Sequence, residues 1–198
     1  AAVRDATVPA VAVESTQLAN GIWRIAGGSH HSVAVEFRDF VAVVEAPLTE
    51  ERSLAVIAET RRLIPGKPIR YIVNTSGDLD HVGGNEALAK SAGTNLNQFL
   101  SQGARVYAQE NAYARLSNPP DGTNAAPVPI WPTDAFMGPK KTMSVTGEPI
   151  ELIHQPKAHT DGDVMVFFRK SDVVAAGDVF DHSAYPEIDT RHGGTLQG

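Results

Sequence analysis

The stretch Ser76-Gly77-Asp78-Leu79-Asp80-His81 packs two carboxylates and an imidazole into a few residues of a 198-residue chain. Carboxylates held side by side in a cleft repel one another and lose hydration. A divalent cation relieves both costs, and Asp oxygen and His nitrogen are ordinary ligands for zinc, iron or manganese. The competing reading is a polar turn that opens a helix, with Asp80 as its N-cap and His81 on the surface. Short motifs of this kind also arise by chance. Two later pieces carry similar groups: His159 stands before Thr160-Asp161-Gly162-Asp163, and Asp178 follows Ala176-Gly177. There is no cysteine, which excludes disulfides, thiolate ligands and a cysteine nucleophile.

The elements around the first cluster place it where a strand ends and a helix begins. Tyr71-Ile72-Val73 reads as the end of a buried strand, and Val82-Gly83-Gly84-Asn85 leads into a helix from Glu86. Ligand sites form at such junctions because backbone groups are free and side chains converge. Upstream, residues 1–16 read as a loose segment rich in Ala, Val and Pro. Gly21–Ala26 alternates like a strand, and Gly27–His31 reads as a turn that carries His30 and His31. Ser32–Phe37 and Phe40–Glu45 read as a hairpin around Arg38-Asp39. Thr49 caps a helix with Leu54, Ile57 and Ala58 as its apolar face, stopped by Pro65-Gly66. Ser91–Gly103 reads as a polar insertion.

Downstream, 104–108 reads as a strand and Glu110–Leu116 as a short helix. Residues 117–141 hold so many prolines that an irregular loop is expected, with Trp131 near its end as a candidate cover for a substrate. β patterns return at 143–146, 149–154, 164–169 and 172–175. Hairpin, helix, strand, helix in this order argues for a mixed sheet with helices outside it.

Net charge is −6, which argues against binding nucleic acid through its phosphates. No run of about 18 apolar residues exists to span a membrane. The expected partner is therefore a small-molecule substrate. The opening Ala-Ala-Val-Arg-Asp-Ala reads as a mature N-terminus left after signal cleavage. We expect an exported protein on that ground; a trimmed cytoplasmic one would look the same.

Asn74-Thr75-Ser76-Gly77-Asp78-Leu79-Asp80-His81-Val82-Gly83-Gly84-Asn85 resembles the signature of the metallo-β-lactamase superfamily, Asn-Thr-His-x-His-x-Asp-His-x-Gly-Gly-Asn. Ala158–Asp163 resembles its second histidine motif, and Ala176–Phe180 its Gly-Asp element, in the same order. The resemblance implies one domain over residues 1–198 with an αββα sandwich: two mixed sheets face to face, helices on the outer faces, metal at one edge. It implies that Asp78 and His159 face a first metal, that Asp80 and His81 face a second, and that Asp178 lies between them. Asp80 would also be the catalytic residue, holding a water. Zinc is the metal the family implies, as one or two ions. The departures are Ser76 and Asp78, which stand where the family has histidines, and the family's last histidine ligand, for which the chain up to Gly198 offers no convincing equivalent. That end is also consistent with missing C-terminal elements. An oxygen-rich donor set shifts preference toward iron or manganese.

His30 and His31 sit in a loop that overhangs the active site in relatives, so they are candidates for holding substrate or supplying the absent imidazole. His182 and His192 are weaker candidates. The function implied is metal-dependent hydrolysis of an ester, lactone, amide or similar bond. The alternatives are an iron-dependent dioxygenase of the same fold and a non-catalytic binding protein with a decayed site.

Overall fold

A computed structural model describes residues 11–91, 103–119, 122–144 and 147–198. Four antiparallel strands open the larger sheet: β1 (Glu14–Ala19), β2 (Ile22–Gly27), β3 (His30–Glu36) and β4 (Val41–Val44). Three strands then add in parallel, β5 (Ile69–Val73), β6 (Arg105–Gln109) and β7 (Asp134–Phe136), giving seven in sequence order. The smaller sheet is β11-β10-β9-β8, from β8 (Lys140–Met143), β9 (Ile150–Gln155), β10 (Asp163–Phe168) and β11 (Val173–Ala175). It is antiparallel throughout, not mixed as expected.

The sheets close on one apolar layer. Ile22, Val35, Phe37, Val44, Val73 and Tyr107 from the larger sheet meet Ile150, Leu152, Val164, Val166 and Phe168 from the smaller. Burial at alternate positions fixes the register of β9 and β10, because a one-residue slip would turn these side chains to solvent. A second layer lies between the outer face of the larger sheet and α1 (Glu50–Leu63) with α3 (Asn85–Lys90), through Ile25, Val43, Ile72, Val56, Ile57 and Leu88. On the far face of the smaller sheet Ile153, Met165 and Phe167 are only half-buried and Val174 is exposed. Among the described residues no helix seals that face, so the expected outer helices are found on one side only. No helix of the described residues is long and apolar enough to cross a membrane.

Helix α1 starts where the sequence places it: Thr49 accepts from the Arg52 N–H, with Glu50 and Glu51 in the first turn and Arg61 and Arg62 in the last. Its buried face is different from the expected one. Arg52, Ser53, Val56, Ile57 and Thr60 face inward, while Leu54 and Ala58 are exposed. The close approach of α3 selects that stripe. A Cβ on Gly84 would lie 1.7 Å from Ser53 Oγ, and one on Gly83 would lie 2.1 Å from the Leu48 carbonyl oxygen. Small residues at 53, 83 and 84 therefore outweigh the hydrophobicity of Leu54.

Two further expectations are corrected, and a third falls outside the described residues. Residues 14–16 belong to β1, which pairs with β2 from Glu14↔Ala26 onward; only residues 1–10 of the expected loose segment lie outside the described residues. The proline-rich stretch holds β7 and the start of β8, because Pro132 and Pro139 flank these strands and β7 is an edge strand. Of the expected polar insertion, residues 92–102 lie outside the described residues.

Candidate metal centre

Strands β4 and β5 run in parallel and end side by side, Val44 beside Val73. Each releases a polar segment at the same sheet edge. After β4 comes Glu45, a non-glycine residue at φ 71°, a left-handed conformation that costs energy and marks a held geometry. After β5 come Asn74, Thr75 and Ser76, all buried. Two backbone hydrogen bonds tie the segments together, Ala46 N–H to His81 O (3.1 Å) and Leu48 N–H to Asp80 O (2.9 Å). Asn74 and Asn85 exchange side-chain hydrogen bonds at 2.9 and 3.0 Å, and Asn85 also donates to Ile130 O. The two asparagines at the ends of the motif thus clamp the turn between them.

Asp78 stands at the N-cap of the single-turn helix α2 (Leu79–Val82), but its side chain makes no capping bond. It accepts from Ser76 Oγ at 3.0 Å instead, while Ser76 Oγ accepts from the Asp78 N–H at 3.3 Å. Ser76 thus serves to orient Asp78, and the helix-capping reading of the cluster fails. His81 is 5% exposed. Its Nδ1 bonds Glu45 Oε2 at 2.8 Å, and Glu45 Oε1 accepts from the Thr75 N–H at 2.7 Å. A carboxylate behind one imidazole nitrogen aims the other, as metal-binding histidines require. The aimed atom, His81 Nε2, lies 3.0 Å from Asp178 Oδ2 and 4.0 Å from Asp80 Oδ2. Its angles nonetheless leave it buried with no hydrogen-bond partner.

The smaller sheet delivers the other half of the centre. His159 and Asp178 lie outside the ends of β9, β10 and β11, and Val164 N–H donates to Thr75 O across the join. His159 Nδ1 lies 3.4 Å from Asp178 Oδ2 and 3.7 Å from Asp78 Oδ2, and it too is buried with no hydrogen-bond partner. Asp161 does not hold His159; it pairs with Arg115 at 2.6 Å on α4 (Glu110–Ser117). Asp163 accepts from the Thr160 N–H and hydroxyl at 2.7 and 2.6 Å and so shapes the turn that carries His159. Gly177 sits at φ +56°, where a Cβ would lie 2.2 Å from Thr75 Oγ1. Only glycine lets the next residue, Asp178, come this close to the motif.

The remaining candidates divide. His30 and His31 are the first residues of β3, not part of a turn. His30 Nε2 bonds Asp80 Oδ2 at 2.9 Å, and His31 Nε2 accepts from Arg24 at 2.8 Å. Both line a cleft of about 860 Å³ that also contains Asp78, Asp80, His81 and Asp178. Trp131 is not brought to that cleft: its indole donates to Ala126 O at 2.8 Å and its ring meets Tyr113. His182 reaches the cleft wall but is exposed, and His192 is held by Asp189 at 2.5 Å. Glu45 was missed in the sequence, where it closes an apolar run before Pro47 and looks like a strand end.

Burial alone would lower the pKa of His81, but the Glu45 and Asp178 carboxylates outweigh it and raise it to about 11. For Asp178, burial would raise the pKa, but His81 and then His159 outweigh it and hold it below the usual carboxylate range. The metal-free centre thus keeps a proton on His81 as its counter-charge. A folded pKa above the unfolded value of about 6.5 means that this contribution is complete below about pH 6.5 and is lost as pH climbs toward 11. Chelated protein should therefore melt several degrees lower at about pH 10 than at about pH 7. A flat or rising melting profile would contradict the buried imidazolium.

The residues fit a divalent ion. Of the three buried imidazole nitrogens without a hydrogen-bond partner among the described residues, His81 Nε2 and His159 Nδ1 have Asp78, Asp80 and Asp178 beside them. Two groups emerge, each with ligand atoms within 4.8 Å of one another: Asp78, His159 and Asp178, and His30, Asp80 and His81.

Residues 25–194 match the sequence profile of the metallo-beta-lactamase superfamily. The chain belongs to that superfamily. Among solved structures, this superfamily member is similar to a metallo-beta-lactamase from Pontibacter korlensis, at a TM-score of 0.69 and 16% identity, over 92% of this chain and 79% of that one. It is also similar to the stereoselective inverting sec-alkylsulfatase Pisa1 from Pseudomonas sp., at a TM-score of 0.61 and 16% identity, over 80% of this chain and 30% of that one. Identities this low show the shared fold alone. No curated protein matches the chain by sequence.

Proposed function

We propose that this chain is a metal-dependent hydrolase of a small molecule, cleaving an ester, lactone, amide or similar bond. The reading is supported above all by His81 Nε2 and His159 Nδ1, which have no hydrogen-bond partner and sit among carboxylates in an open cleft. Asp78, His159 and Asp178 would hold one ion and Asp80 with His81 a second, zinc being the first expectation for the superfamily. When bound, a divalent ion polarises a substrate oxygen and brings the pKa of water toward neutrality. Asp80, with a side chain 45% exposed, faces the cleft where it would orient that water and accept its proton. Glu45 keeps the His81 ring fixed while this happens.

The test is metal content of protein purified without chelator, followed by melting with and without chelator. A ligand that binds only the folded state raises the melting temperature by mass action. Asp80→Ala should lower the content, and a panel of esters, lactones and amides should be turned over only by the loaded protein. A sulfate ester belongs on that panel, since one structural neighbour is an alkylsulfatase. Unchanged metal content in Asp80→Ala would remove Asp80 from the centre. The excess of carboxylates over imidazoles among the expected ligands favours a second reading, an iron-dependent oxygenase; oxygen consumption without hydrolysis would select it.

A further inference from the structure

The ligand set expected from the sequence gives the second metal position Asp80 and His81 of its own, with Asp178 shared between the two positions. Around it the structure brings an imidazole from a distant element. His30 opens β3, well before Asp80 in the chain, yet its Nε2 lies 2.9 Å from Asp80 Oδ2, and its ring meets the His81 ring edge-on at 5.5 Å. One donor atom from each of the three residues falls within 4.8 Å of the others. His81 Nε2, nearly fully buried and without a hydrogen-bond partner, is the independent sign that something is to be bound among them.

The hairpin is built to hold His30 in place. Arg52, 2% exposed on α1, donates to Ile25 O and to His30 O, both at 3.3 Å. A Cβ on Gly27 would lie 2.9 Å from that guanidinium, so the strand before the turn rests directly on it. The His30 ring is oriented as well. Its Nδ1 lies 2.7 Å from Ser29 Oγ; a cation taking the place of the Nε2 proton that meets Asp80 would leave Nδ1 to donate to that oxygen.

We infer that His30 is a metal ligand, completing with Asp80 and His81 a position of two imidazoles and one carboxylate. The inference rests on the metal-dependent reading above. It makes the β2–β3 hairpin the source of a donor beside Asp80, His81 and the shared Asp178. Two nitrogens with carboxylate oxygens suit zinc or ferrous iron.

Calorimetric titration of chelator-treated protein with Zn²⁺ tests it, comparing wild type, His30→Ala and His159→Ala. His30→Ala should lose one class of zinc binding, or hold it at least about ten-fold more weakly, while His159→Ala loses the other. His30→Cys supplies a readout that a structural role would not move. The chain has no cysteine, so a thiolate-to-metal band in the near ultraviolet on adding Co²⁺ must come from position 30. If His30→Ala and wild type give the same zinc isotherm, His30 is not a ligand, although the metal-dependent reading stands. If wild type itself takes up no zinc or cobalt, both fall together.

Discussion

Glu45→Ala should destabilise the protein by about 3–5 kcal/mol, the cost of removing one partner from a buried ion pair. Glu45 is 8% exposed and His81 5%. The substitution strips the acceptor from His81 Nδ1 and from the Thr75 N–H at once. It also leaves alanine in a left-handed backbone conformation that already strains glutamate. Glu45→Gln separates stability from binding. Its amide oxygen can still accept from Thr75, but its NH₂ cannot accept a proton from His81 Nδ1. The ring must then change tautomer or turn. Zinc affinity should therefore fall about 10–100-fold, as when other outer partners of metal-binding histidines are lost, while stability falls less than in Glu45→Ala. Zinc titration and urea denaturation of both variants check this. Equal zinc affinity in wild type and Glu45→Gln would show that the ring needs no aiming.

Asp178→Asn should have the larger effect on metal. One oxygen of Asp178 lies 3.0 Å from His81 Nε2 and 3.4 Å from His159 Nδ1, so a single carboxylate serves both halves of the centre. The amide keeps the shape but not the charge, and offers only one oxygen as donor. Zinc binding should weaken at both positions, by more than the about 10–100-fold attached to an outer partner. Metal analysis after dialysis against a fixed zinc concentration gives the answer. Full retention at either position would mean that Asp178 does not bridge.

How much of this could be read from the residues depends on how far each signal reaches along the chain. Asp78, Asp80 and His81 were visible because strand end, turn and helix start fall within one short motif. His159 and Asp178 were visible only through their order and the small residues around them. Gly177 bears that out, since its place against Thr75 is what brings Asp178 in. Glu45 was hidden because its partners, His81 and Thr75, are far along the chain. His30 was already a candidate for the absent imidazole, but its pairing with Asp80, far along the chain, could not be read from the sequence. Leu54 misled because hydrophobicity was weighed without knowing that α3 would come too close for a large side chain. Strand β7 was masked by prolines that turn out to flank it.

The donors of this centre come from His30 through Asp178, carried by both sheets. No contiguous half of the polypeptide holds Asp78, His159 and Asp178 together, whereas His30, Asp80 and His81 all fall within the first half. A growing or refolding chain must therefore bring its two sheets together, the slow part of assembling such a topology, before it can capture an ion between Asp78, His159 and Asp178. An ion held there then acts on the finished protein: it retards escape from the native state and leaves the pace of reaching it to the apolar layers.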